Sequence, residues 1–230
     1  RKPIKNRILS FDMNPNYIGL VVMDNQTIRY KEIIDLSILN KITNKNKKLH
    51  ETCEINSRIV ALARHHRVEL IAFEDLNMKS KDHKKGKNFN RLVNNSWNRS
   101  KLVQNLVKKC NINGIKYKEI PAFYSSFVGC LTQPEEYDSI AAAMELSRRA
   151  RQFLTNQSVT NFPEVDLKAI TTRWKEMLGF EIDDVSWINL YDWFKKRTKL
   201  SYRKLFRLQN FEGVSLRLKS VSSGVVCHLV

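Results

Sequence analysis

Three carboxylates sit where the character of the chain changes. Asp12 ends the stretch RILSFD, Glu74 follows the apolar run VELIAF, and Asp138 opens a stretch of helix formers, SIAAAMELSRRARQFL. Carboxylates contributed by separate elements suit hard divalent cations, because each ion must be held by oxygen and still keep positions open for water and substrate. Ions held in this way hydrolyse phosphodiester bonds: they activate a water and stabilise the leaving oxygen, so little acid–base chemistry is needed from the protein. Each acid taken alone also has a plainer reading. Asp12 suits a turn, Glu74 with Asp75 suits the polar exit of a strand, and Asp138 complements a helix dipole. Only the elements that position these acids can bring them together.

The sequence predicts those elements in a telling order. RILSFD, YIGLVVMD and TIRYKEIIDL read as strands separated by Asn14-Pro15-Asn16 and Asp24-Asn25-Gln26, a three-stranded antiparallel meander. A lysine-rich link from Asn40 to Lys48 leads to a helix with Cys53, Ile55, Ile59, Val60 and Ala63 on its apolar side, ending at Arg64-His65-His66-Arg67. VELIAFED reads as a strand buried on both faces. The basic loop MKSKDHKKGKNFNR follows, then a helix over about Asn94 to Cys110, a fifth strand in IKYKEI ended by Pro121, and a helix from Glu135 to Leu154. Three hairpin-connected strands, then alternating helices and strands, form the RNase H-like order: a mixed five-stranded α/β sheet flanked by helices. In such a sheet the first and fourth strands are neighbours, which would set Asp12 beside Glu74.

The chain carries 40 Lys and Arg against 23 Asp and Glu in 230 residues, a formal charge of +17. That excess favours a polyanionic partner, nucleic acid first; no apolar run is long enough for a membrane span, and no membrane partner is expected. The four cysteines are scattered without a CxxC pair, so neither a zinc site nor a disulfide framework is readable, and the plain reading is reduced thiols in a cytoplasmic or nucleoid-associated protein. The opening RKPIKNR has no secretory apolar region, and starting at Arg1 it suggests a fragment of a longer chain.

At this point the motifs resemble a family. FDMNPNYIGL is similar to the D-x-N strand motif of the RuvC domain in transposon-encoded TnpB proteins and their relatives, the type V CRISPR effectors. IAFEDLN resembles their second acidic motif and YDSIAAAMELSRR their third. Between these, NFNRLVNNSWNRSKLVQNLVKKC resembles the family's basic loop and tryptophan-bearing helix, with Trp97 at the matching place, and KEIPAFYSS resembles the segment after the next strand. The resemblance covers about residues 4 to 152. It departs in one respect: the interval 127–137, where the family carries a zinc ribbon of two CxxC pairs, holds only Cys130.

The resemblance implies a metal-dependent DNA endonuclease with two Mg²⁺ ions, replaceable by Mn²⁺, and no zinc. Asp12 would bridge both ions, Glu74 and Asp138 would each hold one, and Glu135 and Asp75 are nearby acids that could assist. DNA is the expected partner. A guide RNA is an expected further partner if an upstream recognition part precedes Arg1, and becomes doubtful if Arg1 is close to the natural start. For nucleic-acid contact the reading singles out Lys79, Lys81, Lys84, Lys85 and Lys87, directly after Glu74, together with Arg148 and Arg149 on the last long helix. The alternative for the arginines is a solvated face pairing with Glu145. A Holliday-junction resolvase or RNase H without a guide, and an inactive DNA-binding derivative, remain alternatives on the same fold. Residues 1–155 are thus expected to form the RuvC-like domain. Residues 156–230, with amphipathic segments rich in Trp174, Trp187 and Trp193, would form a mainly helical extension of unknown role.

Overall fold

The structure, a computed structural model, describes residues 2–75, 99–178 and 185–197. Strands β1 (Arg7–Met13), β2 (Tyr17–Asp24) and β3 (Thr27–Asp35) form the expected antiparallel meander, and β4 (Leu70–Glu74) and β5 (Lys116–Ile120) extend it in parallel on the other side of β1. The order is β3-β2-β1-β4-β5. Asn25 turns the β2–β3 hairpin with φ of 56°, a left-handed conformation that asparagine tolerates well. Residues 8–13 and 18–23 are buried throughout, as strands covered on both faces must be.

One face carries α1 (Ser37–Lys41), α2 (Lys45–His65) and α3 (Arg99–Ile112). Their residues Leu39, Ile59, Val60, Leu102 and Leu106 pack on Leu9, Phe11, Leu20, Ile71 and Phe73, with the Phe11 and Phe73 rings stacked 5.5 Å apart. The link expected over Asn40 to Lys48 is largely helical instead. The Asn44 side chain accepts from the backbone N–H groups of Asn46 and Lys47, and this cap starts α2 inside the lysine run.

The opposite face carries α5 (Asp138–Leu154), whose Leu146 and Ala150 pack on Ile8, Leu70 and Ala72, and whose Ile140 and Ala143 pack on Val21 and Met23. The helix starts at Asp138 rather than Glu135: Tyr137 is extended, with ψ of 143°, and Glu136 is drawn to Lys31 of β3 at 2.8 Å. Before it lies α4 (Ser125–Thr132), which the sequence reading did not anticipate.

This short helix joins the two parts of the chain. Its Phe127, Val128 and Leu131 form a core with Trp187 and Leu190 of α7 (Trp187–Arg197), packed by Leu167 and Ile170 of α6 (Leu167–Leu178). Trp187 stacks on Phe162 at 5.6 Å and donates its indole N–H to the Pro163 carbonyl at 3.0 Å. The extension therefore shares its core with residues before the boundary expected at 155. The side chains of Trp174 and Trp193, and the C-terminal segment from 198, lie outside the described residues. Among the described residues no helix is long and apolar enough to cross a membrane, and Cys53, Cys110 and Cys130 are free thiols.

Candidate metal centre

Side chains alternate between the two faces of a strand. Ile8 packs on the α5 side, and Ser10 on the same side donates its hydroxyl to the Ala143 carbonyl of α5 at 2.7 Å. Two residues on, Asp12 faces the same side and is 4% exposed. In β4 the same side holds Leu70, Ala72 and then Glu74. The parallel register pairs Phe11 with Phe73, so the next residues of the two strands, Asp12 and Glu74, stand side by side on adjacent strands. The Asn14 side-chain amide donates to the Asp12 carboxylate at 2.7 Å, which orients it.

Backbone contact places the third acid. Gly19 is the antiparallel partner of Asp12, and a Cβ there would lie 2.4 Å from the Ser139 hydroxyl oxygen and 2.5 Å from its carbonyl carbon. The first turn of α5 rests directly on this glycine. On its other side, a Cβ at Gly129 of α4 would lie 2.3 Å from the Ala141 carbonyl oxygen. Held between two glycines, the helix starts over the Asp12 strand pair with Asp138 as its first residue. The alanines 141 to 143 are fully buried, in keeping with the close approach their small side chains allow. Among the described residues, no three His, Cys, Asp or Glu side chains gather closely enough to hold one ion.

Among the described residues an arginine lies against this pair. Arg99 of α3 forms an ion pair with Glu74, and its side chain is 29% exposed. Burial pushes its guanidinium down to about 10, while the Asp12 charge acts in the opposite direction.

No family model matches the chain. The curated proteins contain no match either. Several solved structures are similar to it, two of them of one protein. One is Thermus thermophilus RuvC in complex with a Holliday junction substrate, at 10% identity and a TM-score of 0.47, covering 66% of this chain and 98% of that one. The other is Thermus thermophilus RuvC by itself, at 9% identity and a TM-score of 0.46, covering 66% and 97%.

The remaining expected residues are placed differently from the three acids. Arg149 is fully buried: it donates to Glu145 at 2.7 Å, to the Pro121 carbonyl at 2.6 Å and to the Asn161 carbonyl at 2.9 Å. This corrects the expectation of a phosphate-facing side chain, and equally that of a solvated face, although the pairing with Glu145 is as anticipated. Arg148 shares Glu145 at 2.7 Å and donates to the Thr160 carbonyl at 2.6 Å. Asp75 faces away from Glu74 and pairs with Glu119, whose carboxyl is pushed up by burial and by the Asp75 charge. Glu135 is exposed in the turn before α5. Lys79, Lys81, Lys84, Lys85, Lys87 and Trp97 lie outside the described residues.

Carboxylate oxygens are the donor type that a hard divalent ion takes, while the described side chains do not by themselves close a three-ligand site. Asp12 and Glu74 offer carboxylate oxygens on one side of the sheet, Asp138 starts the helix above them, and the Asp12–Glu74 pair already attracts a cation in the guanidinium of Arg99. The sequence reading took Asn14 as a turn former and as the asparagine of the D-x-N motif without giving it a role at the site, although a residue two positions along a strand shares a face with Asp12. Arg99 stands among other basic residues in NRSKLV, and nothing in its neighbours marks it out.

Proposed function

We propose that this chain is a divalent-cation-dependent nuclease acting on DNA, of the TnpB and type V effector kind. The observation that carries the reading is the side-by-side placement of Asp12 and Glu74 on one sheet face, beneath the start of the helix that bears Asp138. Asp12, Glu74 and Asp138 would hold the ions, two Mg²⁺ or their Mn²⁺ equivalents, which when bound supply an activated water and stabilise the leaving oxygen. Asn14 keeps the Asp12 carboxylate in one orientation, and Ser10 ties β1 to α5 so that the strand and helix acids keep a common frame. The lysines from Lys79 to Lys87 follow Glu74 in sequence, and their role toward the phosphate backbone belongs to the same proposal. Guide RNA enters through the motif resemblance alone.

The test is cleavage of labelled single-stranded and double-stranded DNA by the purified protein with its co-purified RNA, with Mg²⁺ or with EDTA, beside Asp12→Ala. Mg²⁺-dependent cutting that disappears in the variant supports the reading, and its loss after RNase treatment supports RNA guidance. A second reading, a DNA binder that does not cut, draws on the ion pair of Arg99 with Glu74. DNA binding without cutting under every condition would decide for it.

A further inference from the structure

Two carboxylates on adjacent strands repel each other unless a cation lies near them, and among the described residues Arg99 lies there. Arg99 reaches Glu74 from the far side of the sheet, because α3 packs through Leu102, Val103 and Leu106 against the face opposite to Asp12 and Glu74. Its position is otherwise unfavourable. It is largely buried, which penalises its charge. The attraction of Glu74 and Asp12 offsets this penalty. A divalent ion bound by the same carboxylates would lie close to this guanidinium, and the two positive charges would repel each other.

We infer that Arg99 is a resident counter-ion of the Asp12–Glu74 pair and that its positive charge weakens the binding of a divalent cation at this site. The inference rests on the cation-site reading above. The side chain is 29% exposed and hangs on a flexible aliphatic stem, so it can draw back as an ion arrives. Arg99 thereby sets the cation concentration that the site requires, and it makes an ion-free site less costly to keep folded.

The experiment needs no cleavage. Binding of Mn²⁺ alone, in the absence of nucleic acid, is followed by the loss of its free EPR signal for the full chain, Arg99→Gln, Arg99→Lys, and Asp12→Asn in the wild-type and Arg99→Gln backgrounds. Arg99→Gln is expected to bind Mn²⁺ at least roughly tenfold more tightly and to show a larger rise in Tm with Mn²⁺, while Arg99→Lys stays near the wild type because the charge is kept. Equal or weaker binding by Arg99→Gln overturns the inference; if Asp12→Asn still weakens Mn²⁺ binding in both backgrounds, the cation-site reading survives that failure. Asp12→Asn without effect in either background overturns both. Should Arg99→Gln unfold without a cation, recovery of its far-UV circular dichroism at Mn²⁺ levels below those the wild type needs supports the inference, and no recovery overturns it.

Discussion

Arg99 and Arg149 both lie against acidic side chains, on opposite faces of the sheet, and their surroundings differ in kind. Arg149 is sealed from solvent and divides its donors between Glu145 and the carbonyls of Pro121 and Asn161. It ties α5, the end of β5 and the following loop into one unit. Arg99 is partly exposed, and the attractions that hold it come from Glu74 and Asp12. Backbone carbonyls fixed in place have no other cation to turn to, whereas a carboxylate can exchange one cation for another. The difference separates an arginine built into the fold from one whose charge bears on the cation site proposed above.

The largest effect expected from this contrast is on chemistry without loss of fold. Asp12→Asn should lower cleavage by at least about a thousandfold, roughly 4 kcal/mol of barrier, while chemical denaturation shows unchanged or slightly raised stability because one repelling charge is gone. Parental cleavage in that variant would remove the distinction between the two regions. Arg149→Ala should do the reverse and cost about 3–5 kcal/mol in urea denaturation, since Glu145 and two carbonyls lose partners in the interior. A change within about 0.5 kcal/mol would mean that the sealed arginine is as exchangeable as the other.

Gly19→Ala joins the two regions and should have a smaller effect. The added methyl meets the Ser139 backbone, so α5 must shift, at about 1–3 kcal/mol in stability together with reduced Mn²⁺ affinity. Unaltered metal affinity at reduced stability would show that the start of α5 does not position Asp138 for the ion.

The smallest effect concerns a third arginine that stands between the two types. Arg7 donates to Asp24 at 2.7 Å and to the His66 carbonyl at 3.0 Å, and its hydrogen bond holds the Asp24 carboxyl below the ordinary aspartate value. A carboxyl lowered on folding contributes stability that is present above its unfolded value and is lost as pH falls through the folded one. The stability difference between wild type and Asp24→Asn should therefore be seen near neutral pH and vanish in the acid limb. A difference that persists there would assign the effect to packing rather than charge.

The strand pattern of the chain was legible because both faces of β1, β2 and β4 are covered, so their apolar runs are short, dense and bounded by turn formers. The order of elements then placed Asp12 beside Glu74. Other features depend on contacts that no local pattern encodes. α4 reads as the remainder of a loop after Ser125 because its apolar residues Phe127, Val128 and Leu131 face partners up to sixty residues later in the chain, Trp187 and Leu190. The role of Arg149 was misjudged because helical spacing shows which residues share a stripe on α5 but not that Asn161 folds back over it. Arg99 went unnoticed because its significance comes from Glu74, 25 residues earlier and across the sheet. Gly19 did carry a signal, since a glycine inside a strand marks close approach of another backbone.

The sheet order has a further consequence for association. Among the described residues, β3 and β5 lie outermost, and no strand pairs with their outer sides. Open strand edges invite another chain to add to the sheet, and charged side chains along them oppose it. β3 carries Arg29, Lys31 and Glu32, and β5 carries Lys116, Lys118 and Glu119. Any strand joining either edge would bring its own side chains against these charges. Aggregation by edge-to-edge stacking is thereby discouraged, and a protein partner is better accommodated through helices or loops than by extending the sheet.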